Sequence, residues 1–264
     1  EAVFKVVDAY CQQQAVAGIG ICLCSLLNEE HSGSMLSVNA PALDGLDIQQ
    51  AFRLRFGCPV RVQNDVNAYA LAEYAFGAGR GVRRLLVLGL GTGLAIAVIR
   101  QGAVVETWAG VPADAGRIVL IPDAAVSCAA GVRGSAESLI GTAHIERLAR
   151  ARYQHDLSAR QVIVAAAAGN DPLAAAVMAE IGTNVGHLLA LLSPVFFPQR
   201  ILITGGTSEA GAPLFTAIRQ RYSQLIGDYM TGLAALSGGA PSPVEIIKGA
   251  LGPEASVLGA ALEF

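Results

Sequence analysis

A chain of 264 residues that is 53% apolar and only 15% charged must bury most of itself, leaving little for disordered tails. Its 18 Lys and Arg are scattered among 21 Asp and Glu, and a formal charge of −3 gives no basic footprint for nucleic acid. No apolar run reaches the roughly 18 residues of a membrane span and no cationic stretch precedes one at Glu1, so a cytoplasmic chain without membrane contact is expected.

Val3, Val6, Val7 and Tyr10 recur at helical spacing and predict an amphipathic opening helix. Ala17–Cys24 is a short apolar run suited to a buried strand, with Cys22 and Cys24 on one face. Five cysteines (Cys11, Cys22, Cys24, Cys58, Cys128) are an odd number and predict reduced, buried thiols. Residues 25–46, with Asn28, Gly33, Pro41 and Gly45, read as loop and turn. A helix over Ile48–Phe56, a strand over Pro59–Gln63 and a helix over Val66–Phe76 follow, the last closing on Gly77 and Gly79. Leu85–Leu90 and Leu94–Arg100 flank Gly91-Thr92-Gly93 and predict a β-hairpin, with Gly102 at the next turn. Long helices are predicted over Val132–Tyr153 and Pro172–Leu192. Arg200–Thr204 is a strand ending on Gly205-Gly206. A helix over Pro213–Met230, a strand over Ser242–Lys248 and a closing helix over Pro253–Leu262 complete the chain. Strands alternating with helices in this way argue for an α/β fold with largely buried sheets.

Three short motifs bear on chemistry. Asn64-Asp65 stands where a strand hands over to a helix, the place where ligands of open α/β sheets gather. An Asn-Asp pair there is also an ordinary helix N-cap. Asp65 could equally supply the carboxylate base that phosphoryl transfer to a hydroxyl requires. Gly89-Leu90-Gly91-Thr92-Gly93 would let backbone N–H groups approach phosphate oxygens, or would simply be a hairpin turn. Gly205-Gly206-Thr207-Ser208, after a strand, suits a nucleotide in the same way.

Taken in order, Asn64-Asp65-Val66-Asn67-Ala68-Tyr69-Ala70-Leu71-Ala72-Glu73, Gly77-Ala78-Gly79 and Leu88 through Gly93 resemble the central signature of the ROK family of sugar kinases and repressors. Gly169-Asn170-Asp171-Pro172, Ser193-Pro194, Ile203-Thr204-Gly205-Gly206 and Leu258-Gly259-Ala260-Ala261 extend the resemblance over nearly the whole chain. It implies a two-lobed actin-like, ribonuclease H-like α/β fold closing over a sugar and ATP with Mg²⁺. Residues 1–81 and 253–264 would form the first lobe and 82–252 the second. By position, Asp65 would be the general base, with Asn39 and Asn64 bonding the sugar. Gly91, Thr92 and Gly93 would cradle phosphates, and Gly205 and Gly206 would line the adenosine site. A homodimer is usual in such proteins.

Departures from the pattern carry as much information. Where the family has Gly-Glu-x-Gly-His, whose Glu binds sugar and whose His is both a zinc ligand and a sugar contact, this chain has Asp114 and Arg117 as the corresponding candidate sugar contacts. Asp is one methylene shorter, and Arg cannot become a neutral nitrogen ligand. Of the family's Cys-x-Cys-Gly-x-x-Gly-Cys-x-Glu only Cys128 and Glu137 remain, so no zinc is expected, since a structural site wants four ligands. Glu137 aligns with a sugar-contacting Glu, although an acid at a helix start is also ordinary. The family's opening Asp-x-Gly-Gly-Thr phosphate loop has no counterpart in these residues, so the first lobe is expected to be incomplete in this chain. The expected function is therefore ATP-dependent phosphorylation of a hexose or N-acetylated amino sugar. The alternatives are the sugar-sensing part of a repressor whose DNA-binding segment lies outside this chain, or a catalytically inactive relative.

Overall fold

The computed structural model describes residues 2–12, 15–37, 40–236 and 243–262. Near the start, strand β1 (Ile19–Leu23) pairs in parallel with β4 (Val60–Asn64), Ile19 opposite Val60 and Leu23 opposite Asn64. Helices α1 (Ala2–Cys11) and α2 (Ile48–Phe56) meet through aromatic rings, Phe4 and Phe52 having centroids 4.9 Å apart. That contact turns Phe4 and Val7 of α1 inward and leaves Val3, Val6 and Tyr10 exposed, so most of the predicted apolar stripe faces outward. Asp47 caps α2 by accepting from the Gln50 N–H, and Gly57 ends it in the left-handed region.

The segment expected to be loop holds a small hairpin, β2 (Leu26–Leu27) with β3 (Ser34–Leu36). Its turn is built by Asn28, whose side-chain oxygen accepts from the N–H groups of Ser32 and Gly33, a local bond that strand propensity does not report. Cys22 lies within β1 and is half-buried. Cys24 lies just beyond the strand and is exposed, so the two thiols do not share one buried environment.

The main sheet has five strands in the order β7-β6-β5-β8-β9: β5 (Arg84–Leu90), β6 (Leu94–Arg100), β7 (Ala103–Val104), β8 (Arg200–Thr204) and β9 (Glu245–Lys248). β5, β8 and β9 run parallel, while β6 returns antiparallel as the predicted hairpin. Leu86, Leu88 and Leu90 face a large core made with α4 (Ala136–Ile140), α5 (Thr142–Tyr153), α6 (Ala159–Ala168), α7 (Pro172–Phe196) and α8 (Ala212–Tyr222). Leu85 and Val87 face the other way, onto α3 (Asp65–Phe76). Burial on both faces is why these strands read as unbroken apolar runs. A final helix, α10 (Ala255–Ala261), packs on α3 and β1.

Several helices differ from expectation. The helix predicted over 132–153 begins only at Ser135, which caps α4, and breaks at Gly141 between α4 and α5. A Cβ at Gly141 would stand 2.9 Å from the Glu137 carbonyl and 3.0 Å from that of Thr92, so the chain turns where only glycine fits. Helix α6 was not anticipated, although Ser158 and Gln161 form a reciprocal capping box at its start. α8 runs through a π-helical turn at Ser223–Gly227 into α9 (Asp228–Leu236). α7 is long and apolar enough to cross a membrane by length and composition, despite the polar residues that break up its sequence pattern. Ile181, Val185 and Leu188 are fully buried in the main core, so this helix serves as a core element.

Candidate active site

The carboxyl ends of β4, β5, β8 and β9 open into one cavity of about 1160 Å³, the position that open parallel sheets reserve for ligands. Asp65 and Asn64 reach it from β4, Gly91, Thr92 and Gly93 from β5, Gly205 and Gly206 from β8, and Lys248 from β9. Asp114, Arg117 and Glu137 line it from the loop after β7 and from α4. Every anticipated site residue but one therefore meets in a single space. Asn39 lies outside the described residues.

Asp65 is the first residue of α3. Burial holds its carboxyl above the ordinary range, opposed by hydrogen bonds from the Cys24 thiol and the Val66 N–H. Its charge and burial in turn push the Cys22 thiol up, burial being the larger cause. Asn64 is committed to structure: its Oδ1 accepts from the N–H groups of Val66 and Asn67, and its Nδ2 donates to the Ser25 carbonyl. The N-cap reading thus holds for Asn64, while Asp65 beside it faces the cavity.

The two glycine turns are neighbours because β5 and β8 are. Gly205 has φ +85°, and a Cβ there would stand 2.2 Å from the Leu90 carbonyl. Both features exclude other residues and bring its backbone against the end of β5. Thr92 sits exposed at the tip of the β5–β6 turn.

Arg117, anticipated as a substrate contact, lines the cavity and is also engaged by three neighbouring side chains. Its guanidinium lies 2.6 Å from Glu137 Oε1, 3.2 Å from Cys128 Sγ and 3.4 Å from Asp114 Oδ2. Burial pulls its pKa down, but the hydrogen bond and charge of Glu137, with Asp114, outweigh that and hold it above its ordinary value. Among the described residues no three His, Cys, Asp or Glu side chains are grouped to hold a metal. A permanently protonated guanidinium stands among the donors that remain, so these residues do not fit zinc.

Several lining residues went unnoticed in the sequence. Lys248 ends β9 and pairs with Glu209 at 2.6 Å; the strand-end rule that flagged Asp65 would have found it. Arg147, on α5, also lines the cavity and donates to the Ser138 carbonyl. Asn67 is fully buried and donates to the Gly110 carbonyl at 2.6 Å, fixing the loop that carries Asp114. Buried Glu73 accepts from Ala78 N–H, Leu251 N–H and Tyr69 Oη, tying α3 to the segment after β9.

Comparison with known proteins agrees with this architecture. The family model described as ROK family matches residues 1–263. The chain belongs to the ROK family. A glucokinase of Streptomyces coelicolor is 28% identical over 280 residues, covering 99% of this chain and 84% of that protein. The crystal structure of a ROK family glucokinase from Streptomyces griseus, in complex with glucose and AMPPNP, superposes with a TM-score of 0.79 at 25% identity over 99% of this chain and 87% of its own. A ROK family transcriptional regulator, a homologue of the E. coli Mlc protein, superposes with a TM-score of 0.86 at 24% identity. This chain spans all but 1% of itself and 66% of that regulator's length. The fold is the α/β actin-like fold of ROK sugar kinases and regulators.

Proposed function

We propose that this ROK protein is an ATP-dependent sugar kinase that phosphorylates a hexose or an N-acetylated amino sugar. The observation that carries the reading is the single cavity with a carboxylate base at one side, Asp65, and two apposed glycine turns at the other. Residues 1–81 with 253–264 make one lobe and 82–252 the other, and the cavity lies where they face each other.

In the proposed reaction Asp65 accepts the proton of a sugar hydroxyl as that oxygen attacks the γ-phosphorus of ATP. A new P–O bond forms to the sugar, the bond from γ-phosphorus to the bridging oxygen breaks, and ADP leaves. A carboxyl pKa raised by burial makes Asp65 a stronger base than an exposed carboxylate. Backbone N–H groups of Gly91, Thr92 and Gly93 would receive phosphate oxygens, and Gly205 and Gly206 would border the adenosine. Asp114 and Glu137 would accept sugar hydroxyls. Mg²⁺ would arrive with ATP, held chiefly by phosphate oxygens and water, and would neutralise phosphate charge.

Support for the kinase reading comes from the glucokinase relatives and from the intact turn at Gly91–Gly93, which a pure sugar sensor has no physical need to keep. A second reading, a sugar-sensing module of a repressor, is favoured by the 0.86 TM-score to an Mlc-like regulator and by Arg117 in the sugar-side wall. The two separate in one experiment: coupled ADP release with ATP, Mg²⁺ and a panel of hexoses and N-acetylhexosamines, beside Asp65→Asn. Turnover on one sugar, abolished in the variant, is the expected result. Sugar-dependent thermal stabilisation without turnover would favour the sensor.

A further inference from the structure

The wall of the cavity around Glu137 is held together by one internal cation. Glu137 stands in the first turn of α4, Asp114 on the loop after β7, and Cys128 in a turn closed by the Cys128 N–H to Val132 carbonyl bond. No backbone bond joins these three side chains, yet Arg117 touches all of them: Nη1 reaches Glu137 and Cys128, and Nε faces Asp114. Two carboxylates on one cavity wall repel each other and would drift toward water. A guanidinium between them offsets that repulsion, hydrogen-bonding Glu137 and pairing at longer range with Asp114.

The two oxygens of Glu137 are used differently. Oε1 accepts from Arg117 at 2.6 Å. Oε2 lies where a Cβ on Gly93 would meet it at 2.7 Å and a Cβ on Gly116 at 3.5 Å. The carboxylate is therefore seated between two glycines, one of them in the turn between β5 and β6, with one oxygen held by the guanidinium and the other free for a ligand hydroxyl. The Arg117 side chain is mostly buried, so the contact is little screened by water.

We propose that Arg117 is a positioning residue for sugar binding: its guanidinium locks the Glu137 carboxylate against Gly93, so that Oε2 accepts a sugar hydroxyl. The inference rests on the sugar-kinase reading, of which it specifies one wall. It places the Arg117 effect in sugar affinity. The transfer step belongs to Asp65, and the nucleotide lies at the glycine turns.

The test uses Arg117→Met, Arg117→Lys and Glu137→Gln in the full chain, with folding checked by thermal melting. Arg117→Met should raise the sugar KM about tenfold or more while kcat changes less than about threefold and the ATP KM stays put, the signature of lost ground-state binding. Arg117→Lys, which keeps a cation but loses the fork, should recover part of the loss and guards against a Met variant that fails to fold. Sugar dissociation constants should show Arg117→Met and Glu137→Gln to be strongly non-additive, whereas Arg117→Met and Asp65→Asn should add. Unchanged sugar affinity in both Arg117 variants, full additivity with Glu137→Gln, or a parallel loss in kcat and ATP KM would overturn the inference and leave the kinase reading standing. A wild-type chain that binds sugar without turnover is read on dissociation constants alone. Binding of no sugar on the panel by wild type would overturn both.

Discussion

Gly259 of α10 lies directly on the carbonyl of Ala68 in α3: a Cβ at 259 would stand 1.7 Å from that oxygen. On the other side of α10, a Cβ on Gly20 of β1 would meet the Ala260 carbonyl at 2.1 Å. The helix is thus wedged backbone to backbone between the strand and the helix that carries Asp65, and Ser256 Oγ donates to the Asp65 carbonyl at 3.0 Å. Gly259→Ala should cost about 1–3 kcal/mol, as overpacking does, and Gly259→Val more. Urea unfolding of the variants checks this. Gly20→Ala combined with Gly259→Ala should fall short of the sum, since either change already displaces α10.

Asp65 predicts two opposite effects of one substitution. Burial raises its carboxyl pKa above the ordinary range, so the folded chain holds that proton more tightly than the unfolded chain does. Between the ordinary carboxylate value and the folded one the native state binds more protons, and stability falls as pH rises through that window. Above it the full cost of the buried charge is present. Asp65→Asn should therefore abolish turnover yet raise the melting temperature at neutral pH, with the gain vanishing below the window. The acid limb of the wild-type kcat/KM profile should lie above the ordinary carboxylate range, because only the ionised base accepts a proton. A variant less stable than wild type at pH 7 would contradict the burial argument.

Much of this could be read from the chain, and the remainder has identifiable causes. The hairpin of β5 and β6, the strand at 200–204 and helix α2 follow from apolar periodicity and glycine placement alone. The convergence of Asp65, Gly91–Gly93 and Gly205-Gly206 was legible through the family resemblance; parallel pairing of β5 with β8 accounts for the two glycine turns, while Asp65 comes from the end of a separate sheet. The partners of Arg117 were not. Cys128 and Glu137 lie 11 and 20 residues away, and their contacts depend on a fold of the intervening loop that no local rule supplies. The β2–β3 hairpin around Asn28 and the helix break at Gly141 were missed for a related reason. A side-chain bond to the next turn, or a steric conflict with a distant carbonyl, leaves no trace in periodicity.

The same guanidinium makes a prediction about metal. Arg117 supplies positive charge between Asp114, Cys128 and Glu137, and it cannot be displaced by losing a proton. Zinc analysis of the purified chain should give well under one equivalent, and chelator should leave the melting temperature unchanged. One equivalent of zinc, with loss of stability on chelation, would mean that the guanidinium swings away from these groups.

His144 gives the chain a second pH-sensitive point. It is buried in the first turn of α5, against Arg147, and its pKa falls from 6.5 to about 4, burial being the main cause and Arg147 the next. Glu180 pulls the other way and Arg152 adds to the depression, so the charges around the ring are net unfavourable to its protonation. The folded state therefore binds fewer protons at this residue than the unfolded chain between about pH 4 and 6.5. Its contribution to stability is complete above 6.5 and is lost progressively as pH falls toward 4. Urea midpoints measured from pH 7.5 down to about 4.5 should decline for wild type, and the decline should be shallower in His144→Gln, which cannot take up the proton. Because other carboxylates titrate in the same range in both proteins, the difference between the two curves isolates the imidazole. Parallel curves would show that His144 protonates freely in the native state, and that the Arg147 contact opens to admit the charge.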